Sequence, residues 1–330
     1  MKNEPNNILK FKHLSFVLCF VSGFLSLHSQ TLIPTAETAF ENQLPFNTEF
    51  IKADKIKSIT FDILDKKDMQ VAEDKGLLNY YEFNTHGKLT RFYYTTISKV
   101  IQKEFHVAGK KHHAGYSYSK NEYVYDTVST TYFYNDSRDV KLKRYNDGFY
   151  YESYYYDYTM DGKVEKEKRF KESNVSPNRY EFKLGTQYLI SEESFIYKET
   201  GKNQFKKICQ NDEGRAYKEV IYDLNDNDQI IGINEQYVAT WITQQSTFTY
   251  NAKGQLTKAI YKSNSNGDIT LMRTYEYDSN DCLLTEKRYK NDVLLEEVSY
   301  VTDANKRVNS YLIRDPNQKN IRIIKLYYQL

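Results

Sequence analysis

Between Tyr81 and Val308 the chain returns nine times to the phrase Y-x-Y-[ND]-x-x-G-x-L. Such a period restricts the fold more than any other feature, because every unit must build the same small supersecondary element and bury its apolar face against its neighbours. The clearest copies are Tyr81-Glu82-Phe83-Asn84 with Gly87 and Leu89, Phe248-Thr249-Tyr250-Asn251 with Gly254 and Leu256, and Tyr275-Glu276-Tyr277-Asp278 with Asp281 and Leu283. With the second aromatic as anchor, the register runs Phe83, Val107, Tyr134, Tyr158, Phe182, Gln210, Tyr250, Tyr277, Thr302, at intervals of 24, 27, 24, 24, 28, 40, 27 and 25 residues. Val107 and Phe182 are degenerate copies placed by the period, and the 40-residue interval contains an extra turn-like segment, Asp223 to Asp228, and the single tryptophan, Trp241.

Within a copy, apolar and polar residues alternate, as in a strand with one buried face. Asn or Asp then opens a four-residue segment closed by Gly, the residue choice of a type I turn whose last position needs positive φ. A second alternating run follows, such as Leu256-Thr257-Lys258-Ala259-Ile260. Each unit is thus two antiparallel strands and two turns, and nine units make about 18 strands, a sheet on the order of 85 Å wide. Open sheets curl well before that width, so the expected fold is all-β, a long antiparallel meander curled into an open sheet or β-spiral. Tyr250 and Tyr277 are expected as equivalent members of one packed aromatic row.

Positions 14 to 27 form an apolar run behind Lys2, Lys10, Lys12 and His13. That is the layout of a secretory signal, and the run is shorter than the roughly 20 residues of a membrane helix. The expected organisation is a signal peptide over 1–29, an irregular segment with a first strand over 30–79, and the repeat array over 80–330. Without residues 1–29 the chain carries 43 basic and 43 acidic side chains. No net field then draws it to nucleic acid, and no transmembrane segment is expected after cleavage. Cys209 and Cys282 lie 73 residues apart, close to three repeats, beyond the reach of a disulfide in a linear array; both are expected as free thiols.

The sequence offers little for catalysis. G-x-S-x-G, H-E-x-x-H, C-x-x-C and the phosphate-binding loop are all missing, and carboxylates such as Glu82, Asp157, Glu181 and Glu276 occupy the solvated positions of strands. No enzyme activity, cofactor or metal is expected. His106, His112 and His113 cluster beside Lys110 and Lys111, which suits a solvated turn better than a cation site. Asp223, Asn225, Asn227 and Asp228 lack the glycine and glutamate of a helix-loop-helix calcium site and read as a turn. Tyr150, Tyr151, Tyr154, Tyr155, Tyr156 and Tyr158 fall on both parities of one strand, so some rings must face outward. Aromatic cross-strand packing explains the inward members; outward ones can stack on sugars or anchor a protein. Tyr150, Tyr151, Tyr154 and Tyr155 are therefore the candidate binding residues.

The phrase, clearest over Phe248 to Leu256 and Tyr275 to Leu283, resembles the YD repeat of bacterial Rhs and teneurin-like proteins and of repeat proteins exported by Bacteroidetes. Gly87, Gly162, Gly214 and Gly254 keep the turn glycine, whereas Arg138, Asp228, Asp281 and Lys306 replace it. The resemblance implies a non-catalytic β-spiral shell. The reading that results is an exported β-repeat protein that binds or scaffolds a glycan or protein at the cell envelope. The alternatives are an extracellular carbohydrate hydrolase or a periplasmic toxin-immunity protein.

Overall fold

The structure is a computed structural model that describes residues 30–330 apart from 42, 68–69, 108–114, 148–149, 179–180, 266 and 317–319; the expected signal, residues 1–29, lies outside the described residues. One six-residue helix, α1 (Thr48–Ala53), precedes eighteen strands: β1 (Ser58–Lys67), β2 (Glu73–Phe83), β3 (Leu89–Val107), β4 (Tyr116–Tyr134), β5 (Val140–Asn146), β6 (Tyr151–Tyr158), β7 (Val164–Asn174), β8 (Leu184–Gly201), β9 (Gln204–Gln210), β10 (Ala216–Leu224), β11 (Ile230–Tyr237), β12 (Thr243–Tyr250), β13 (Leu256–Ser263), β14 (Ile269–Tyr277), β15 (Leu283–Lys290), β16 (Val293–Thr302), β17 (Val308–Asp315) and β18 (Asn320–Gln329). Each strand pairs antiparallel with the next, and β1 pairs with both β2 and β18.

The sheet therefore closes into an 18-stranded barrel, which corrects the open curled sheet or β-spiral expected from the repeat. The cause lies outside the array. In β1, Ile59 and Phe61 are fully buried, with Ile59 opposite Tyr328 on one side and Tyr81 on the other. One strand with an inward apolar stripe removes both sheet edges at once, and closure is the only arrangement without exposed edges.

A barrel this wide cannot be filled by its wall alone; eight strands let side chains meet, whereas 16 to 18 leave a channel. Residues 30–56 supply the filling. Phe46 packs on Tyr81 and Phe83, the Tyr275 hydroxyl donates to the Ala39 carbonyl, and the Thr31 hydroxyl donates to the Lys306 carbonyl. These contacts reach widely separated strands, so the segment runs inside the barrel. Its helix α1 starts at Asn47, whose side chain accepts from the backbone of Glu49 and Phe50, the usual N-cap. Leu32, Ile51, Phe61, Leu256 and Val298 are among the buried residues of the resulting core.

The outer wall carries charged side chains beside exposed apolar ones such as Val301 and Leu312. One rung passes through Lys258, Thr274, Lys287, Glu297 and Arg314 on consecutive strands. Membrane-spanning barrels carry an apolar band on that face, where a basic residue costs roughly 2–4 kcal/mol. Among the described residues no helix is long and apolar enough to cross a membrane.

Asn/Asp-x-x-Gly turns do form, with Gly87 N donating to Asn84 O and Gly254 N to Asn251 O. Where glycine is replaced, Arg138, Asp228, Asp281 and Lys306 still take positive φ, between 58° and 69°, so the turn type overrides the steric preference of the residue. Seven such turns, from 84–87 to 303–306, ring one end of the barrel, whereas the 211–214 turn lies at the other end, because strands alternate in direction. Val107, Phe182 and Gln210 flank that opposite rim and are not anchors of the ring. The 40-residue interval is thereby explained, because the turn at 225–228 is an ordinary member of the ring and the turn after Gln210 is the outsider.

Four anchor tyrosines and Tyr328 have a shared task. Tyr134, Tyr158, Tyr250, Tyr277 and Tyr328 donate their hydroxyls to the carbonyls of Leu89, Val140, Ile230, Leu256 and Val308 at 2.6–2.9 Å. Each acceptor opens a strand just after a turn of the ring, so the phenol ties one hairpin to its neighbour. Tyr277→Phe keeps the ring and removes this bond, and should cost about 1 kcal/mol; Tyr277→Ala should cost about 3 kcal/mol or more. Thermal denaturation of both variants checks this, and a Phe variant as stable as wild type would leave the hydroxyl without a structural role.

Candidate functional site

β6 divides the tyrosine cluster between the two faces of the wall. Tyr154 and Tyr156 point inward, while Tyr151 and Tyr155 point outward, in register with Glu172 and Lys168 on β7. Tyr150 stands at the rim, with Lys171 Nζ 4.3 Å from its ring centroid. The four expected binding residues therefore do not form one surface: Tyr150 and Tyr151 border a cavity outside the wall, Tyr154 borders one inside it, and Tyr155 bonds Glu172 beneath the outer one.

The inner cavity is a chamber of about 860 Å³ between the filling segment and the wall. Leu44, Ile63, Leu77, Phe92 and Ile313 line it together with Lys143, Tyr145, Glu152, Tyr154, Arg288 and Arg322. It reaches the point beyond Asn79 and Tyr94 where β2 and β3 cease to pair. Glu152 accepts from Arg169 Nη2 at 2.6 Å and from the Tyr154 hydroxyl at 3.0 Å. Burial and the Glu152 bond both push the Tyr154 phenol up. Arg322 pairs with Asp65 at 2.8 Å. Arg288 binds Glu286 at 2.7 Å and Glu296 at 2.8 Å. Burial alone would raise the Glu286 pKa, but Arg288, Arg273 and the Tyr300 hydroxyl outweigh it and hold the carboxyl below its usual range.

The outer cavity is a groove of about 690 Å³, bordered by the outward faces of β3 to β7 and by the segment between β7 and β8. Its floor is a buried ionic cluster. The Glu172 side chain is fully buried. Its Oε2 accepts from Arg144 Nε at 2.9 Å and Ser153 Oγ at 2.5 Å, and its Oε1 from the Tyr155 hydroxyl and Gln187 Nε2, each at 2.8 Å. Burial opposes ionisation, but bonds from Ser153, Tyr155 and Arg144 reverse the balance and lower the Glu172 pKa. The Arg144 guanidinium lies 3.8 Å from the Phe182 ring centroid, and Tyr151 packs on Phe182 at 4.7 Å. Arg91, Thr131 and Arg144 follow one another along a single rung. Phe133, beside this rung, is 45% exposed, and Asp126, Asn146 and Asn174 complete the border.

Sequence reasoning missed Arg91, Phe133, Arg144, Glu172 and Phe182, because only the register of β3 to β7 brings them together. Of the three clustered histidines, His106 Nδ1 lies 2.6 Å from Ser117 Oγ, and His112 and His113 lie outside the described residues. Asn225 Oδ1 accepts from the backbone of Asn227 and Gln229, as in an ordinary turn. Cys209 and Cys282 are free and buried.

No known protein family and no curated protein matches this chain. Among solved structures it is similar to a porin-like protein from Bacteroides uniformis, with a TM-score of 0.34 and 12% identity over 83% of this chain and 98% of that one. It is also similar to the Photorhabdus luminescens Tc holotoxin pore, with a TM-score of 0.29 and 12% identity over 71% of this chain and 12% of that one. Likenesses this distant carry no argument about what the protein does.

Proposed function

We propose that this is an exported, non-catalytic β-repeat protein of the cell envelope that binds a glycan in the outer groove. The observation that carries the reading is the composition of that groove, where the half-exposed Phe133 ring stands beside Arg91, Arg144 and Thr131 on the water-facing wall. A sugar needs a flat aromatic face for its C–H side and fixed hydrogen-bond groups for its hydroxyls, and an aromatic residue with an open face offers the first. Arg144 is held rigid by Glu172 and Phe182, so its unused donors are already oriented, which lowers the ordering cost of binding. Charge within the groove is balanced, with Arg91 and Arg144 against Asp126 and Glu172, which favours an uncharged saccharide over a polyanion.

An array of neutral and acidic oligosaccharides, followed by titration calorimetry on the mature protein, tests the reading. Phe133→Ala and Arg91→Gln should each weaken binding of a neutral oligosaccharide about tenfold, with unchanged melting temperature, since neither residue is buried. Binding that survives both changes, or a protein that binds no saccharide, would overturn it.

A further inference from the structure

We infer that the inner chamber is a second, independent site that takes an amphipathic monocarboxylate, an acid with one charged head and an apolar body. Two observations carry this. The first is the mixed lining, which sets the apolar side chains Leu44, Ile63, Leu77, Phe92 and Ile313 in one chamber with Lys143, Tyr145 and Tyr154. The second is the state of the cations that line it. Arg288 has two carboxylate partners and Arg322 has one, whereas Lys143 has no carboxylate within ion-pair distance among the described residues. Lys143 faces inward between Tyr132 and Tyr154 on the neighbouring strands, with its Nζ 5.8 Å from the Tyr154 ring centroid.

The carboxylates nearest to it are unavailable for different reasons. Glu152 is held by Arg169 and Tyr154. Glu167 also faces inward, and burial raises its pKa, which weakens it as a counter-ion. A lysine in a partly dry wall without a counter-ion favours an incoming anion, because a charge-assisted bond there is stronger than in water. One unmatched cation selects one charge. The other cations of the lining, Arg288 and Arg322, are already paired with carboxylates, so a second charged head finds no free partner and the body of the ligand lies against Leu44, Ile63, Leu77, Phe92 and Ile313. The volume of about 860 Å³ falls within the range of small-molecule sites, roughly 300–1,000 Å³.

Titration of the mature protein with decanoate and with 1-decanol at pH 8 separates head from body. Decanoate should bind saturably and on the order of ten- to a hundredfold more tightly than decanol, the ratio expected for one charged hydrogen bond. Lys143→Met should remove that preference and leave decanol binding unchanged, while Lys143→Arg should restore it. Leu77→Trp, which fills the chamber, should abolish binding of both. Arg91→Gln, in the outer groove, should change neither, so failure here is distinguishable from failure of the glycan reading. Equal affinity for acid and alcohol, a decanoate preference that survives Lys143→Met, or no saturable binding would each overturn the inference.

Discussion

Removal of residues 320–330 should abolish cooperative folding and yield aggregated protein, although only the last of eighteen strands is lost. β18 pairs with β1 in ten consecutive positions and also with β17. Ile324 and Leu326 are both buried in the main core, and Tyr328 ties this strand to the Val308 carbonyl. Burial of an aliphatic side chain is worth about 1.5–3 kcal/mol, so three lost side chains approach the whole stability of a typical domain, about 5–15 kcal/mol. Deletion also opens β1 and β17 as two long edges, the usual templates for aggregation. In an open spiral the same deletion would remove a terminal edge and leave the rest standing. A truncated protein that stays monomeric on size exclusion and melts within a few degrees of wild type would contradict closure.

Alkaline pH should unfold the barrel more sharply than acid. Burial pushes the phenols of Tyr222 and Tyr250 up to about 12, and those of Tyr134, Tyr275, Tyr277, Tyr311 and Tyr328 higher still. In the unfolded chain a tyrosine ionises near pH 10. A group whose folded pKa is raised stabilises the fold fully below its unfolded value, and that contribution falls as pH rises towards the folded value. Stability should therefore be level up to about pH 10 and collapse between about pH 10 and 12. Phenolate absorbance and far-ultraviolet dichroism should change together in one step. If phenolate absorbance instead rises smoothly near pH 10 while the dichroism is unchanged, the anchor hydroxyls are not engaged.

The repeat showed strands, turns and an inward aromatic row, because each depends on residues near in sequence. Alternation sets which side chains share a face, and the turn residues force positive φ even at Arg138 and Lys306. Parity likewise showed that β6 must send tyrosines to both faces. It could not show what each face meets. The chamber and groove are assembled from rungs that join Arg91 to Thr131 and Arg144, and a rung depends on register across strands some fifty residues apart. The degenerate copies misled for a related reason. Strands of 18 and 19 residues, β3, β4 and β8, carry the chain to the far rim, and a linear period cannot tell one rim from the other.

Closure was beyond the sequence on other grounds. Strand pairing is a local, two-body preference, and the repeat alone is equally satisfied by a spiral or a ring. Two segments outside the clear repeats decided between them: β1, which joins first strand to last, and residues 30–56, which fill a barrel too wide for its own side chains. The sequence by itself determined the unit, its turns and the sidedness of its tyrosines, since these follow from backbone sterics and the two-residue period of a strand. The tertiary structure alone decided that the array is a closed, filled barrel with a site on each side of its wall, since that depends on which distant surfaces bury one another.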